Sequence, residues 1–165
     1  MDSAAWGLIG TLIGASASIV TTYLTNKNTA KLHGDSRSIE RIERARTFQR
    51  ETLLELQNSF HDAIRATTVA HLADIKAARE GGAWGKNLLP DSLSEDVRLA
   101  NRRVTLFVER VADDSVRFTV KRVMAELSAI WLCSSREESQ EFMERVSLDS
   151  IVVLEEIGGN LRSLY

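Results

Sequence analysis

The histidines of this 165-residue chain are the first place to look for chemistry. His71 and Asp74 are three residues apart, so both lie on one face of a helix if the segment is helical. An imidazole and a carboxylate at this spacing form half of a metal site. The other two histidines, His33 and His61, supply no second pair of this kind. The sequence therefore predicts no metal ion and no cofactor.

Signatures of the common enzyme classes are also missing from the sequence. There is no G-x-S-x-G nucleophile elbow and no G-x-x-x-x-G-K-[ST] phosphate loop. A single cysteine, Cys133, excludes an internal disulfide framework and a cysteine zinc cluster. Because Cys133 follows Trp131 and Leu132 at a predicted helix end, we interpret it as a small core residue and not as a reactive thiol. The sequence predicts no catalytic residue and no enzyme.

Charge is distributed unevenly along the chain. No charged side chain occurs from Ser3 to Asn26, and residues 27–50 then carry seven basic and three acidic side chains. The remainder is mildly acidic, and the net charge of the whole chain is -2. This near-neutral balance gives no reason to expect a nucleic-acid partner. An apolar segment followed by a basic one is typical of a membrane anchor.

Residues 1–26 are predicted to form a single transmembrane anchor. The apolar run Ala4–Leu24 is long enough to cross a hydrocarbon core of about 30 Å, and Trp6 and Tyr23 lie near its ends, where aromatic rings favour the interface. The basic flank places the C-terminal domain in the cytoplasm and the N-terminus outside the cell membrane. Two alternatives remain: a cleaved signal peptide, for which residues 15–17 resemble a cleavage site, and a buried globular helix.

The predicted anchor has two different faces. On a helical projection the residues of one face are small or hydroxylated, and we call this the small-residue face: Gly7, Gly10, Thr11, Gly14, Ser18, Thr21, Thr22 and Thr25. The opposite, bulky face is predicted to contact lipid: Ile9, Leu12, Ile13, Ile19, Val20, Tyr23 and Leu24. Small residues four apart allow two helix backbones to approach closely, so the first face predicts packing in a homo-oligomer. Lining of a pore is the alternative.

Residues 27–52 are predicted to form a basic stalk next to the membrane. Lys27, Lys31 and Arg37 are candidates for contact with anionic lipid headgroups, where each basic side chain contributes about 1 kcal/mol. A solvated helix face is the alternative interpretation of these charges. Whether the anchor continues into this stalk as one helix, or breaks between Asn26 and Gly34, stays open.

Residues 53–165 are predicted to form a helical bundle. A long helical pattern begins at Ser36 and ends at Gly81–Gly82, and a connector with Trp84 leads to Pro90. Capping signals at Ser92, at Asp113–Ser115 and at Ser134–Ser135 mark three further helices, the last ending near Gly158–Gly159. Apolar positions repeat at helical spacing and give the predicted core: Leu53, Leu56, Phe60, Ala63, Thr67, Ala70, Val97, Val104, Phe107, Val108, Val111, Val116, Val120, Val123, Met124, Leu127, Ile130, Trp131, Phe142, Val146, Ile151, Val153, Leu154 and Ile157. The same repeat extends back to Ile39 and Ile42 in the predicted stalk. The predicted fold class is all-α, an anchor followed by a long helix and an antiparallel four-helix bundle.

One segment and the overall layout resemble a known family. Arg65-Ala-Thr-Thr-Val-Ala-His71 fits the loose Arg-x(4–6)-His motif of HEPN ribonucleases, although Ala66 stands where the motif usually has a polar residue. The layout resembles the small bacterial membrane-anchored accessory proteins of RNA-targeting CRISPR systems, in which an anchor precedes a HEPN-like bundle. The resemblance implies ring-like assembly and, for Arg65 and His71, a role in RNA cleavage.

Three functions are compatible with these patterns. The leading expectation is a membrane-anchored, self-associating scaffold or interaction module on the cytoplasmic face, which contacts the lipid bilayer, further copies of itself and an unidentified protein partner. The alternatives are a pore-forming or membrane-perturbing effector, as used in phage defence, and a membrane-bound HEPN-like ribonuclease.

Overall fold

The computed structural model describes residues 3–85 and 88–165. Within these residues the chain forms four α-helices, one short 3-10 helix and no strand, so the predicted all-α class is confirmed there. The elements are α1 (Ser3–Arg79), α2 (Asp91–Val108), α3 (Asp114–Ala129), the 3-10 helix Ile130–Leu132 and α4 (Arg136–Ser163). The chain divides into two compact units, Met1–Ala45 and Arg46–Tyr165.

The first unit is helical throughout its described part. α1 has no break between Asn26 and Gly34, which answers the question that the sequence left open. Every described side chain from Gly10 to Ala45 is exposed. Across the part of the chain that the structure describes, no helix combines the length and the apolar character that a membrane span requires.

In the second unit, side-chain contacts show that α1 runs antiparallel to both α2 and α4. Near the start of the unit, Gln49 donates a hydrogen bond to the Arg110 carbonyl that follows α2, at 3.0 Å. The guanidinium of Arg50 stacks 5.1 Å from the ring centre of Tyr165 at the end of the chain. Twenty-one residues further along α1, His71 contacts Ser139 near the start of α4.

The other two pairs of neighbouring helices are also antiparallel. Lys121 of α3 forms an ion pair with Glu109, which directly follows α2, at 2.7 Å. Ser115 and Arg122 of α3 bond to Glu156 and Asp149 of α4, at 2.5 and 2.7 Å. Each helix therefore packs against the next, and α4 returns to α1. Residues 46–165 form the antiparallel four-helix bundle expected from the sequence.

The core lies between the four helices of this bundle. Its buried apolar side chains repeat every three or four residues along each helix, which is the spacing that places them on one face. They are Leu53, Leu56, Phe60, Ala63, Ala100, Val104, Val108, Val111, Val116, Val120, Val123, Leu127, Ile130, Met143, Val146, Val153 and Ile157. Most of these positions were predicted from the sequence. Four other predicted core residues, Phe107, Met124, Phe142 and Leu154, are only partly buried against the cluster.

Two predicted core residues are wrong, Ile151 and Trp131. Ile39 and Ile42, on the apolar repeat of the predicted stalk, are 61% and 53% exposed. Ile151 is 55% exposed on α4, whose neighbouring Val153 enters the core instead. Trp131 is 36% exposed in the 3-10 helix, where the change of helix type turns its side chain away from the α-helical repeat.

Three predicted helix boundaries are confirmed by their caps. α1 ends in a Schellman motif in which Gly82 N–H donates to Ala77 and Gly81, at φ +101°, donates to Ala78. Asp113 caps α3 by accepting a hydrogen bond from the Val116 N–H at 2.9 Å. Ser135 caps α4 through the Glu138 N–H, and Glu138 bonds back to Ser134.

Two boundaries differ from the sequence prediction. Ser92 and Glu95 form no capping box, because α2 begins at Asp91 after Pro90 and Glu95 is held by Arg98 at 2.6 and 2.8 Å. α4 does not end at Gly158–Gly159 but continues to Ser163. Each helical glycine costs about 1 kcal/mol, and packing of Leu161 and Leu164 against the core offsets this cost.

Candidate functional site

One group of buried polar side chains lies around His71, near the end of α1. The His71 side chain is 4% exposed, and its Nδ1 lies 3.2 Å from the Ser139 hydroxyl of α4. Asp74, one turn further along α1, is also buried. Burial lowers the pKa of His71 below its ordinary value of 6.5, and the nearby Asp74 carboxylate opposes this shift. His71 is therefore a neutral imidazole at pH 7.

Trp84, in the connector between α1 and α2, packs at this end of the bundle. Its ring meets the His71 ring edge-on at a centroid distance of 5.9 Å. Its indole N–H donates to the Cys133 carbonyl at 3.2 Å, which ties the connector to the segment between α3 and α4. Burial, and secondarily the Glu138 carboxylate, raise the pKa of the Cys133 thiol. The thiol is thus protonated at pH 7, and a protonated thiol is a poor nucleophile.

Two cavities adjoin His71. One holds about 240 Å³ and is enclosed by His71, Asp74, Trp84, Leu89 and Ile130. This volume is below the range of about 300–1,000 Å³ that is usual for ligand sites. The other is an open groove of about 740 Å³ between α1 and α4, which we call the α1–α4 groove.

Arg65 and His71 do not meet in one cavity of the chain. Arg65 lies in a separate hollow of about 330 Å³ between α1 and α2, together with Asp96 and Arg103. Its side chain is 80% exposed, and its guanidinium lies 3.5 Å from the Asp62 carboxylate. His71 faces α4 instead. Within a single copy, the described geometry does not assemble the Arg–His pair that the ribonuclease resemblance implies.

The small-residue face of the first unit is open along its described length. Gly10, Thr11, Gly14, Ser18, Thr21, Thr22 and Thr25 are exposed. A Cβ atom added at Gly10 or at Gly14 would meet nothing within 4 Å. The Thr21 hydroxyl donates to the Ala17 carbonyl at 2.8 Å, so the helix itself satisfies this donor. Gly7 belongs to the same predicted face and lies outside the residues whose side chains are described.

The bulky face and the basic flank are exposed as well. Ile13, Ile19, Val20, Tyr23 and Leu24 are between 54% and 70% exposed. Ile9 and Leu12 complete the predicted face, and their side chains lie outside the described residues. Lys27, Lys31 and Arg37 are exposed further along α1. The described part of this helix thus presents apolar and basic side chains that are exposed.

Neither a cluster of metal-binding side chains among the described residues nor a comparison with known proteins defines the function. The described residues contain no group of three or more His, Cys, Asp or Glu side chains that could hold a metal ion. Comparisons with protein-family models, with curated proteins and with solved structures returned no match. The function must therefore be inferred from the surfaces of this chain.

Sequence reasoning missed the α1–α4 groove. Its α1 wall is formed by side chains three or four residues apart, a spacing that is visible in the sequence: Thr68, His71, Leu72, Ile75, Lys76 and Arg79. The α4 wall is formed in the same way: Arg136, Gln140, Met143, Glu144, Ser147 and Leu148. That these two stripes face each other depends on the register of two distant helices, which the sequence did not reveal.

Proposed function

We propose that this protein is a membrane-anchored, self-associating helical module that presents its bundle on the cytoplasmic face of the cell membrane. The observation that carries the proposal is the contrast between composition and burial in the first unit. The segment from Ser3 to Asn26 has no charged side chain, yet its described bulky side chains are exposed. A contiguous exposed apolar face normally marks a surface that another molecule covers.

A bilayer is the occupant that agrees best with the rest of the segment. The uncharged run has the length of a membrane-crossing helix, and the basic residues begin at Lys27, directly after it. Tyr23 lies at that boundary, where an aromatic ring favours the interface. The same positive flank supports a cytoplasmic bundle, because loops rich in Lys and Arg stay inside.

Self-association is supported by the small-residue face. In lipid there is no hydrophobic driving force between helices, so association depends on close packing of backbones and on hydrogen bonds. Gly10, Gly14 and Ser18 are four residues apart and are exposed. A second copy of the helix could therefore approach along this face without displacing any side chain of the described chain.

The Gly14→Leu substitution tests self-association. The leucine enters open space within one copy, but it would separate two helices that meet at the small-residue face. We expect a smaller oligomer with unchanged membrane association, because leucine favours insertion. The measurement is the native mass of the full chain in mild detergent, with Ile13→Leu on the bulky face as the control. An assembly that is the same with and without Gly14→Leu would contradict the proposal.

A pore is the second candidate, supported by the hydroxyl groups on the small-residue face. Ser18, Thr21 and Thr22 would line water if several helices were arranged in a ring. Ion conductance of liposomes that contain the full chain distinguishes the two candidates. A scaffold leaves the liposomes tight, whereas a pore conducts and loses conductance with Gly14→Leu.

A further inference from the structure

We propose that the α1–α4 groove is a binding site for an anionic amphiphile, a small molecule with an apolar chain or ring and a carboxylate or phosphate head. The groove lies entirely within the unit Arg46–Tyr165. The inference goes beyond the membrane module proposed above and does not depend on the anchor. The site is an open groove with a volume of about 740 Å³.

The two ends of the groove differ in chemistry. α1 and α4 are antiparallel, and His71 lies opposite Ser139. The end of α1 therefore meets the start of α4, which brings Lys76 and Arg79 to the same end as Arg136. Leu72 lies near the middle of the groove, and toward the other end the walls carry Met143 and Leu148 together with the carboxylate of Glu144. A ligand with one charged end and one apolar end matches this polarity.

The cationic end holds more positive charge than the chain neutralises. Lys76 has a distant ion pair with Glu80 at 3.9 Å. Arg79 and Arg136 form no ion pair within the described part of the chain. The carboxylate among the lining residues, Glu144, accepts a hydrogen bond from Gln140 instead. Two guanidinium groups are thus available for a carboxylate or phosphate, the groups that arginine binds with two parallel hydrogen bonds.

The position of Arg136 strengthens this assignment. Lys76 and Arg79 lie in the last turn of α1, where cations are favoured by the helix dipole, so their presence has a structural explanation. Arg136 is the first residue of α4, where the dipole disfavours a cation. An anion held between Arg79 and Arg136 would remove this disadvantage and would also face the N-terminus of α4.

Apolar side chains on both walls of the groove are exposed to solvent and available to a ligand. Leu72 and Leu148, on opposite walls, are 57% and 68% exposed. Between them Met143 is 9% exposed, and its flexible thioether can adapt to an apolar chain. His71 adds a neutral imidazole to the wall. Covering this surface with an apolar group would remove it from water, which favours binding.

Calorimetric titration of the full chain in a neutral detergent tests the proposal, with each heat corrected by a titration into the same micelles without protein. The probes are decanoate and decyl phosphate, with decanol and inorganic phosphate as controls that lack the head or the chain. We expect saturable binding of decanoate, of decyl phosphate or of both, at least about tenfold tighter than either control. Which of the two anions binds more tightly identifies the head group.

Paired variants show whether binding occurs in the groove. Arg79→Gln combined with Arg136→Gln, and separately Leu72→Gln combined with Leu148→Gln, should each weaken binding by about tenfold or more. Arg102→Gln combined with Arg103→Gln removes the same charge from exposed positions of α2, away from the groove, and should change binding less than about twofold. Circular dichroism checks that each variant is folded.

Several results would overturn the proposal. They are the absence of saturable heat for both anions, equal binding of decanol or inorganic phosphate, and unchanged binding in either groove variant. Because the bundle lies outside the proposed anchor, such a failure would leave membrane association intact, so the two proposals fail separately.

Discussion

α1 carries two kinds of surface along one helix. From Gly10 to Ala45 every described side chain is exposed, including Ile19 at 70%. From Leu53 to Ala70 the same helix places an apolar side chain in the core at each turn, and Phe60 and Leu56 are fully buried. Both stretches contain isoleucine, leucine and alanine, so composition does not separate them. In the second stretch, α2, α3 and α4 supply the packing partners.

This comparison indicates what kind of environment each stretch requires. The buried stretch obtains its stability from other parts of the chain, as most helices in globular proteins do. The exposed stretch has an uncharged part whose apolar residues are left to an outside environment, which we propose to be lipid. Substitutions at equivalent apolar positions of the two stretches should therefore have very different consequences for the free energy of unfolding.

The largest expected effect is that of Phe60→Ala. Phe60 is 0% exposed, and loss of a buried phenylalanine ring costs about 3–5 kcal/mol, because a cavity is added to the lost burial. Ile39→Ala removes an apolar side chain that is 61% exposed on the same helix and should change the free energy of unfolding by less than about 0.5 kcal/mol. Urea unfolding followed by circular dichroism measures both. Equal costs would mean that the two stretches do not differ as described.

A smaller effect is expected at the boundary between the two stretches. Gln49 donates to the Arg110 carbonyl at 3.0 Å and accepts from the Ala112 N–H at 2.8 Å, so it fastens α1 to the turn after α2. Gln49→Ala should destabilise the bundle by about 1 kcal/mol in urea unfolding. The matched control is Gln57→Ala on the same helix, since Gln57 forms no hydrogen bond within the described residues. If Gln57→Ala lowers the free energy of unfolding as much as Gln49→Ala or more, the prediction for Gln49 is contradicted.

The smallest effect is a pH dependence from His71. Because burial lowers its pKa in the folded state, the unfolded chain takes up a proton first as the pH falls. The contribution of His71 to stability is therefore complete above about pH 6.5 and decreases as the pH falls below that value. The melting temperature should fall between pH 7.5 and pH 5.5.

Two variants assign this pH dependence to its residue. His71→Asn retains a hydrogen-bonding group toward Ser139 but cannot titrate in this range, so it should reduce the fall in melting temperature. His61→Asn, at an exposed position of the same helix, should leave the fall unchanged. If His71→Asn and the unaltered protein lose the same stability between the two pH values, another group is responsible.

The fold was largely predictable because helical spacing and caps are local signals. The repeat of Leu53, Leu56 and Phe60, the Gly81–Gly82 stop and the Asp113 cap can be read from neighbouring residues. The exposure of Ile151 could not be read in this way, because it depends on which face of α4 meets the partner helices. The continuation of α4 through Gly158–Gly159 depends on long-range packing of Leu161 for the same reason.

The candidate sites were predictable to different degrees. The two faces of the first unit follow from helical geometry alone, so the sequence was sufficient to place Gly14 and Ile19 on opposite sides. The α1–α4 groove depends on helix register, since Arg79 and Arg136 are far apart in the sequence and meet where α1 ends and α4 begins. The separation of Arg65 from His71 likewise required knowledge of which helices flank α1.

Alkaline carbonate extraction followed by density flotation tests the proposed membrane anchor most directly. Membranes from bacteria that produce the full chain are compared with those that produce a chain lacking residues 1–26, with Ile13→Lys and Ile42→Lys as matched exposed variants. We predict that the full chain and Ile42→Lys float with the membranes after extraction and that the truncated chain is released. Ile13→Lys should float less, since a lysine near the centre of a span costs about 2.5–3.5 kcal/mol. Release of the full chain by carbonate, or flotation of the truncated chain, would contradict the account.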